Sequence, residues 1–374
     1  MKFRCERDSL IHVVTAAGRA TSPRMPSSVA HGGLRVSCEG NRLQVIGTDL
    51  DLTVRVTAEA IGITDGVAVV PSRLLADIVR ALEPGAVTVE TTDDSVEISA
   101  ARSRFNLRTY PPEEYPPLAE PGSPTLHLPA ESLFGGLRQV VRAASTDDAR
   151  PLLTGVLITW EEGRLRLVAT DSYRLALCDV SADEGSAGMP QILVPARALL
   201  ELQRLLSSSA LDGGEAASGR IGLTIDDHDI TFTLGGVEIT TRLLDGTYPD
   251  YRQLIPPSYP NALHVGKDSI LDALRRVRLL VKDTTTAVRL SMRPGGVDLT
   301  VVSHEVGDAS ETVDADFTGE DLTVAFNPTY LIDGIDAIRD DEVILQTVDS
   351  TKPATVRAAE GSDFQYLLMP VRVS

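Results

Sequence analysis

Chemistry needs particular side chains at particular spacings, and this chain offers few such sets. The stretch GKDS from Gly266 has the ending of a phosphate-binding loop. The first glycine of GxxxxGK[ST] would fall at Asn261, however, and Asp268 stands where the hydroxyl residue belongs, so that loop is excluded. The acidic turns Asp93-Asp94 and Asp226-Asp227-Asp229 could ligate a cation, yet they sit at the same place in successive copies of one hairpin, which turn chemistry explains by itself. Asp49 and Asp171 recur in a repeated Thr-Asp, and acid-base work by a carboxylate pair would want both in one cleft. A third copy of the segment has Ser303 there, so a structural role at a strand end is expected. The histidines, His12, His31, His127, His228, His264 and His304, are scattered without ligand spacing, and no GxSxG or GxGxxG occurs. Cys5, Cys38 and Cys178 are odd in number and far apart, which predicts reduced packing residues and neither a disulfide framework nor a zinc site. The expectation is a chain that performs no covalent chemistry and needs no metal or cofactor.

What remains is cationic. Arg73 and Arg80, and equivalently Arg197 and Arg204, stand seven residues apart, two turns along one helix face. Arg138 with Arg142, and Arg275 with Arg278 and Lys282, make similar stripes. Taken singly, such arginines are the solvated face of an amphipathic helix. Their recurrence points instead to a local cationic track that phosphates could use without base readout. The formal net charge is −18, from 35 Lys+Arg against 53 Asp+Glu, so the distribution decides. Six helical segments are read at 7–19, 73–82, 131–143, 197–206, 267–283 and 330–339; all but the last are net positive, and the remainder is strongly acidic. An acidic exterior would repel stray DNA while the helices attract it.

The elements that must position these helices recur three times. GLRVSCEGNRLQVIGTD from 33, GVLITWEEGRLRLVATD from 155 and AVRLSMRPGGVDLTVVS from 287 each read as two alternating strands around a Gly-containing turn. A strand running into a helix follows at VVPSRLLADIVRAL from 69, LVPARALLELQRLL from 193 and VAFNPTYLIDGIDAI from 324, with Pro71, Pro195 and Pro328 at the junction. Aligned on those prolines, the third helix has Tyr330 and Ala337 where Arg73 and Arg80 stand, which weakens its claim to the cationic track. Two more strands follow from 87, 221 and 343, and closing strands from 104, 237 and 364. Before each hairpin lies a helix marked by Leu10, Val13, Val14 and Ala17, by Leu133, Leu137, Val140 and Val141, and by Ile270, Leu274, Val277 and Val281.

Each repeat thus reads helix, strands, helix, strands, an α+β chain of three tandem domains at 1–120, 125–256 and 261–374. The Pro-rich stretches 111–124 and 256–260 are expected to separate them, and 181–190 and 207–219 to form mobile surface loops. A length of 374 residues agrees with two or three domains, and 43% hydrophobic with 24% charged residues is a normal globular balance. No apolar run of about 18 residues exists and MKFRCERDSL is too charged for a signal peptide, so a soluble intracellular protein with no membrane partner is expected.

The triplicated pattern resembles the bacterial DNA sliding clamp family, the beta subunit of the DNA polymerase III holoenzyme, in its actinobacterial form. The resemblance covers essentially the whole chain through MKFRCER, GTDLDL at 47, VVPSRLLADIVRAL at 69, TDSYRLAL at 170, LLDGTYPDYRQLIP at 243, FNPTYLIDGIDAI at 326 and the C-terminal LMPVRVS. It implies a DNA polymerase processivity factor: a head-to-tail homodimeric ring, sheets outside and helices inside, that encircles double-stranded DNA without sequence preference. Edge strands of the first and third repeats would pair between subunits. Arg24 and Arg150 would join Arg73, Arg80, Arg138, Arg142, Arg197, Arg204, Arg275, Arg278 and Lys282 in approaching the duplex.

The resemblance also implies a groove between the second and third domains that captures linear motifs of the polymerase III alpha subunit, the clamp loader, other polymerases and repair proteins. Its residues would be Leu153, Thr170, Ser172, Tyr173, Arg174 and Leu175, then Pro249, Gln253, Leu254 and Tyr330, and finally Leu367, Met369, Pro370, Val371 and Arg372. An apolar cleft with a few polar anchors suits an extended peptide, and Met-Pro at a chain end is not what a last core strand needs. Ser172, Tyr173 and Gln253 stand where the family often places glycine, histidine and arginine, and Thr351 and Pro353 lie nearby. These departures leave open a specialised second copy altered at the groove. A cytoplasmic, nucleoid-associated location follows from the same resemblance. Two readings from other classes stay open on sequence alone: an acidic scaffold that binds only proteins, and a hydrolase using Asp49 or Asp171.

Overall fold

The computed structural model describes residues 1–21, 32–92, 94–182, 189–207, 219–282, 286–303, 305–359, 361 and 363–372. Arg24, His31, Asp93, His304 and most of the two expected surface loops lie outside the described residues. The chain divides into two compact units, Met1–Glu131 with Arg197–Leu243, and Ser132–Ala196 with Leu244–Ser374.

The first unit holds two antiparallel sheets. The order in the five-stranded sheet is Ile61–Thr64, Lys2–Glu6, Ala86–Thr91, Ser95–Ala100, Ser103–Arg108. In the eight-stranded sheet it is Leu126–Pro129, Arg220–Ile225, Asp229–Leu234, Val237–Arg242, Leu52–Glu59, Arg42–Thr48, Gly33–Glu39, Gly66–Pro71. Helix α1 (Arg7–Gly18) buries Leu10, Val13, Val14 and Ala17 against α2 (Ser72–Ala81) and the sheet, as the three-and-four spacing of its apolar residues predicts. Gly47 is required there, because a Cβ on it would lie 2.0 Å from the Ala17 carbonyl oxygen. Helix α4 (Ala196–Ser207) belongs to this unit from Arg197 onward.

The second unit repeats the design. Its nine-stranded sheet runs Ile192–Pro195, Gly155–Glu161, Arg164–Thr170, Arg174–Val180, Phe364–Leu368, Ala354–Ala358, Glu342–Thr347, Asn261–Gly266, Asp316–Thr318. A four-stranded sheet runs Gly307–Asp314, Gly296–Ser303, Val288–Arg293, Leu322–Phe326. Its helices are α3 (Ala130–Val140, from Ser132 onward), α5 (Lys267–Val277) and α6 (Pro328–Asp336). Val281, expected on α5, lies past the 3-10 turn 278–280 that ends it. The segment GKDS opens α5, and Lys267 Nζ donates to the carbonyl oxygens of Ile338 and, at 3.3 Å, Asp336, so its ammonium fastens two segments together.

One expectation needs correction, and one feature was not anticipated: the sheets run across the repeat boundaries. The closing strand of the second repeat pairs with a strand of the first (Val237 with Val56, Thr241 with Leu52), and that of the third pairs with the second (Arg174 with Leu368, Cys178 with Phe364). A strand edge exposes unpaired N–H and C=O groups, and the neighbouring repeat is what satisfies them. The correction is the alignment of α6. Gly33 lies opposite Pro71 and Gly155 opposite Pro195, while Val288 lies opposite Phe326, so Asn327, not Pro328, takes the place of the earlier prolines. The residues equivalent to Arg73 and Arg80 are therefore Thr329 and Asp336, and those equivalent to Asp77 are Glu201 and Asp333. Asn327 caps α6, accepting from the N–H groups of Thr329 (2.9 Å) and Tyr330 (3.3 Å).

Candidate functional site

In the second unit, the strand ending at Thr170 reverses through a tight turn into the strand starting at Arg174. Thr170 Oγ1 donates to the Arg174 carbonyl (2.6 Å) and accepts from the Ser172 N–H (3.1 Å). Asp171 Oδ1 accepts from the N–H groups of Tyr173 (2.9 Å) and Arg174 (3.0 Å). Thr48 and Asp49 do the same work in the first repeat, where Asp49 Oδ1 accepts from the Leu52 N–H at 2.9 Å. Both carboxylates are buried turn caps, which removes the hydrolase reading built on them. The turn drives Ser172 to φ 79° and Leu50 to φ 81°, the left-handed region that glycine adopts without strain.

The turn aims Arg174 at three groups. Its Nε donates to Asp171 Oδ2 (3.0 Å), its Nη1 donates to Asp333 Oδ2 on α6 (2.6 Å), and its guanidinium lies 4.3 Å from the centroid of the Tyr330 ring. A rigid planar fork held by two carboxylates and an aromatic face is a fixed polar anchor. Arg150 reaches the same turn, donating to the Asp171 carbonyl and Ser172 Oγ at 3.2 Å each and to Asp147 at 3.0 Å. The Ala149 N–H and Arg150 hold the Asp147 carboxyl below the usual carboxylate range.

Beside this anchor the surface is apolar. Leu175 and Leu367 are buried in a cluster with Leu157, Val168, Tyr248 and Tyr251, on which Leu152, Leu244 and Ile255 pack. Tyr173, Leu254 and Met369 stand 59%, 46% and 40% exposed. Met369 N–H donates to the Tyr173 carbonyl (2.9 Å) and Val371 N–H to the Ala325 carbonyl (2.8 Å), so the C-terminal segment is tied to the turn and to the strand before α6. Pro249 and Gln253 are exposed, and Gln253 bonds Asp250 at 2.9 Å. Beside the buried Tyr251, Arg252 tethers the segment 249–254 to Glu161, which also accepts from Arg166 at 2.9 Å.

The groove residues expected from sequence therefore lie in one compact unit, with Leu153, Leu175 and Leu367 buried and Tyr173, Leu254, Met369 and Arg372 exposed. Sequence reasoning missed Asp333, which fixes Arg174, and Tyr248 and Tyr251, whose rings join the apolar floor. The spacing of the two tyrosines in TYPDY was the available signal. Burial pushes the Tyr248 hydroxyl pKa above its ordinary value.

Apart from Arg24, outside the described residues, and Arg150, at the turn above, the cationic residues expected at DNA stand on the helices or just beyond them. Arg73 and Arg80 lie on α2 with Asp77 between them, at 4.0 and 3.2 Å. On α4, Arg197 pairs with Asp49, and Arg204 with Glu201, which also lies 3.5 Å from Arg19. Arg138 in the last turn of α3 lies over the Phe134 ring at 5.9 Å. Arg142 and Arg275 both reach Asp336, at 3.3 and 3.7 Å, and Arg275 also reaches Asp272 at 3.2 Å. Arg278 and Lys282 are exposed beyond α5. Among the described residues, no group of three or more His, Cys, Asp and Glu could hold a metal ion, and no helix is long and apolar enough to cross a membrane.

Comparison with known proteins agrees with this geometry along the whole chain. Residues 1–119, 127–250 and 252–372 match, in order, the N-terminal, central and C-terminal domain families of the DNA polymerase III beta subunit. The beta sliding clamp of Streptomyces coelicolor is 36% identical and that of Caulobacter vibrioides 31%, each over 100% of both chains. Among solved structures, a sliding clamp from Bartonella birtlesii bound to griselimycin superposes with a TM-score of 0.92 at 31% identity, and the Bacillus subtilis DNA polymerase sliding clamp with 0.91 at 27%, again over 100% of both chains. Three clamp domains in tandem, joined by shared sheets, place this chain in the DNA polymerase III beta subunit family, the sliding clamps that serve as non-catalytic processivity factors in DNA replication.

Proposed function

We propose that two copies of this chain close head to tail into a ring that encircles double-stranded DNA, and that the Arg174 surface captures linear motifs of replication and repair proteins. The observation that carries the ring is a rule of strand pairing. The closing strand of the second repeat pairs with Leu52–Glu59 of the first, and that of the third with Arg174–Val180 of the second. By the same rule the closing strand of the first repeat, Ser103–Arg108, calls for the equivalent strand of the third, Gly307–Asp314. Both stand at the open edges of their sheets in this chain. A second copy satisfies both edges at once, and a heterologous contact whose rotation closes makes a ring. Phe105 on the one edge is 38% exposed, and Leu279, in the turn packed beside the other, is 80% exposed, as an apolar seam between copies would need.

Negative-stain electron microscopy of the purified protein tests this: the expected class averages are six-lobed rings with a central hole, and three-lobed rods would overturn it. The helix arginines supply weak, salt-screened attraction to the duplex, while Arg150 serves the turn beside Arg174. The exposed apolar residues Tyr173, Leu254 and Met369 beside a fixed arginine suit an extended peptide with apolar anchors. The partners are the polymerase III alpha subunit, the clamp loader and other polymerases and repair proteins, met in the cytoplasm at the nucleoid. Met369→Ala should weaken binding of such a peptide about tenfold or more in a calorimetric titration while the ring persists. Unchanged affinity would remove the groove assignment. No observation here favours a specialised second copy.

A further inference from the structure

The arginines of the proposed DNA track are not bare. Asp77 lies between Arg73 and Arg80 on α2, and all three side chains are at least half exposed. Glu201 takes the equivalent place on α4 beside Arg204, and Asp333 the equivalent place on α6, so an acidic residue recurs at this helix position in all three repeats. On α6 the place of Arg80 is itself taken by an acid, Asp336, which draws Arg142 and Arg275 together from two other segments. A protein selected only to hold phosphate would gain by losing these carboxylates.

We propose that Asp77 and Asp336 are built-in counter-ions that compete with DNA phosphates for Arg73, Arg80, Arg142 and Arg275, and so keep the grip on the duplex weak enough to slide. This rests on the reading that these helices face DNA. Exposed ion pairs contribute little and exchange readily, so a phosphate can displace the carboxylate and be displaced by it in turn. An arginine already neutralised by a carboxylate releases less of the DNA counter-ion atmosphere when it meets a phosphate, which flattens the salt dependence of binding. The buried carboxylates Asp49 and Glu201 hold Arg197 and Arg204 more firmly and are the fixed part of the same arrangement.

The test uses the full-length protein and a fluorescent duplex, with anisotropy titrations across about 50–200 mM salt. Asp77→Asn and Asp336→Asn keep side-chain shape and remove one negative charge each. The expected result is several-fold tighter binding at the low-salt end, with a log–log salt slope steeper by up to about one per substitution. Arg73→Glu with Arg80→Glu is the companion variant and should weaken binding. If the companion weakens binding while the two asparagine variants keep the wild-type affinity and slope, the counter-ion proposal is overturned. Tighter binding with an unchanged slope overturns it as well, since the gain would then come from rearranged contacts. No effect of the companion would instead overturn the underlying reading that α2 faces DNA.

Discussion

Ser172 is bound to its conformation by its neighbours, since Thr170 takes up its own N–H and Asp171 that of Tyr173, which leaves φ at 79°. A non-glycine residue there costs about 1–2 kcal/mol, part of which glycine gives back through its freer unfolded chain. Ser172→Gly should therefore raise stability by up to about 1 kcal/mol in urea unfolding. A clear loss would mean that the Arg150 contact to the serine hydroxyl matters more than backbone strain. The cysteines make a second residue-scale prediction. All three are free and buried, and burial pushes the Cys5 and Cys178 thiols from 9.0 up to about 12. The folded state keeps these thiols protonated where the unfolded chain would ionise them. Their contribution is thus whole below about pH 9 and is lost as pH rises through about 12. Melting temperature should fall over that interval, and less steeply in a Cys5→Ala, Cys178→Ala variant; equal slopes would refute the assignment. Sequence disclosed the packing role of the cysteines and a structural, strand-end role for Asp49 and Asp171; that these carboxylates cap tight turns came from the structure. Sequence could not disclose Asp333, whose partner Arg174 is 159 residues away.

At the scale of elements, the helices and hairpins were legible because apolar periodicity and turn residues are local properties. The strands Leu52–Glu59, Arg174–Val180 and Gly307–Asp314 were not anticipated. Two of these are the very strands on which neighbouring repeats pair, a consequence of tertiary contact and not of local pattern. Proline misled the alignment of α6 by one residue, since it is equally at home as the cap or as the first helical residue. The correction gives α6 a different task from α2 and α4. Its Gly334 packs where a Cβ would lie 2.3 Å from the Tyr366 ring, while the equivalent Ile78 and Leu202 are ordinary core side chains. Tyr366 OH then donates to the Tyr330 carbonyl at 2.9 Å, which seats Tyr330 over Arg174. Gly334→Ala should cost about 1–3 kcal/mol by overpacking and weaken peptide capture with it. Wild-type stability with intact peptide affinity would show that α6 tolerates the shift and does not set the anchor.

At the scale of the molecule, the boundaries between repeats, read from prolines, and the compact units are different divisions of one chain, because each of the two larger sheets draws strands from two repeats. The repeats were visible in sequence; the continuity of the sheets across them was not. In the ring we propose, the exposed Leu279 beside the open edge Gly307–Asp314 is the residue on which assembly is tested. Leu279→Asp places a charge in the proposed seam and should shift sedimentation from dimer to monomer with the fold of each chain unchanged. A persistent dimer would locate the seam elsewhere.

The strand-pairing rule has one further outcome. In the ring we propose, the junction between copies would repeat the antiparallel pairing seen at the two junctions within the chain, the copies would be related by an axis along the duplex, and their two Arg174 surfaces would face the same end of the DNA, two seats on one face.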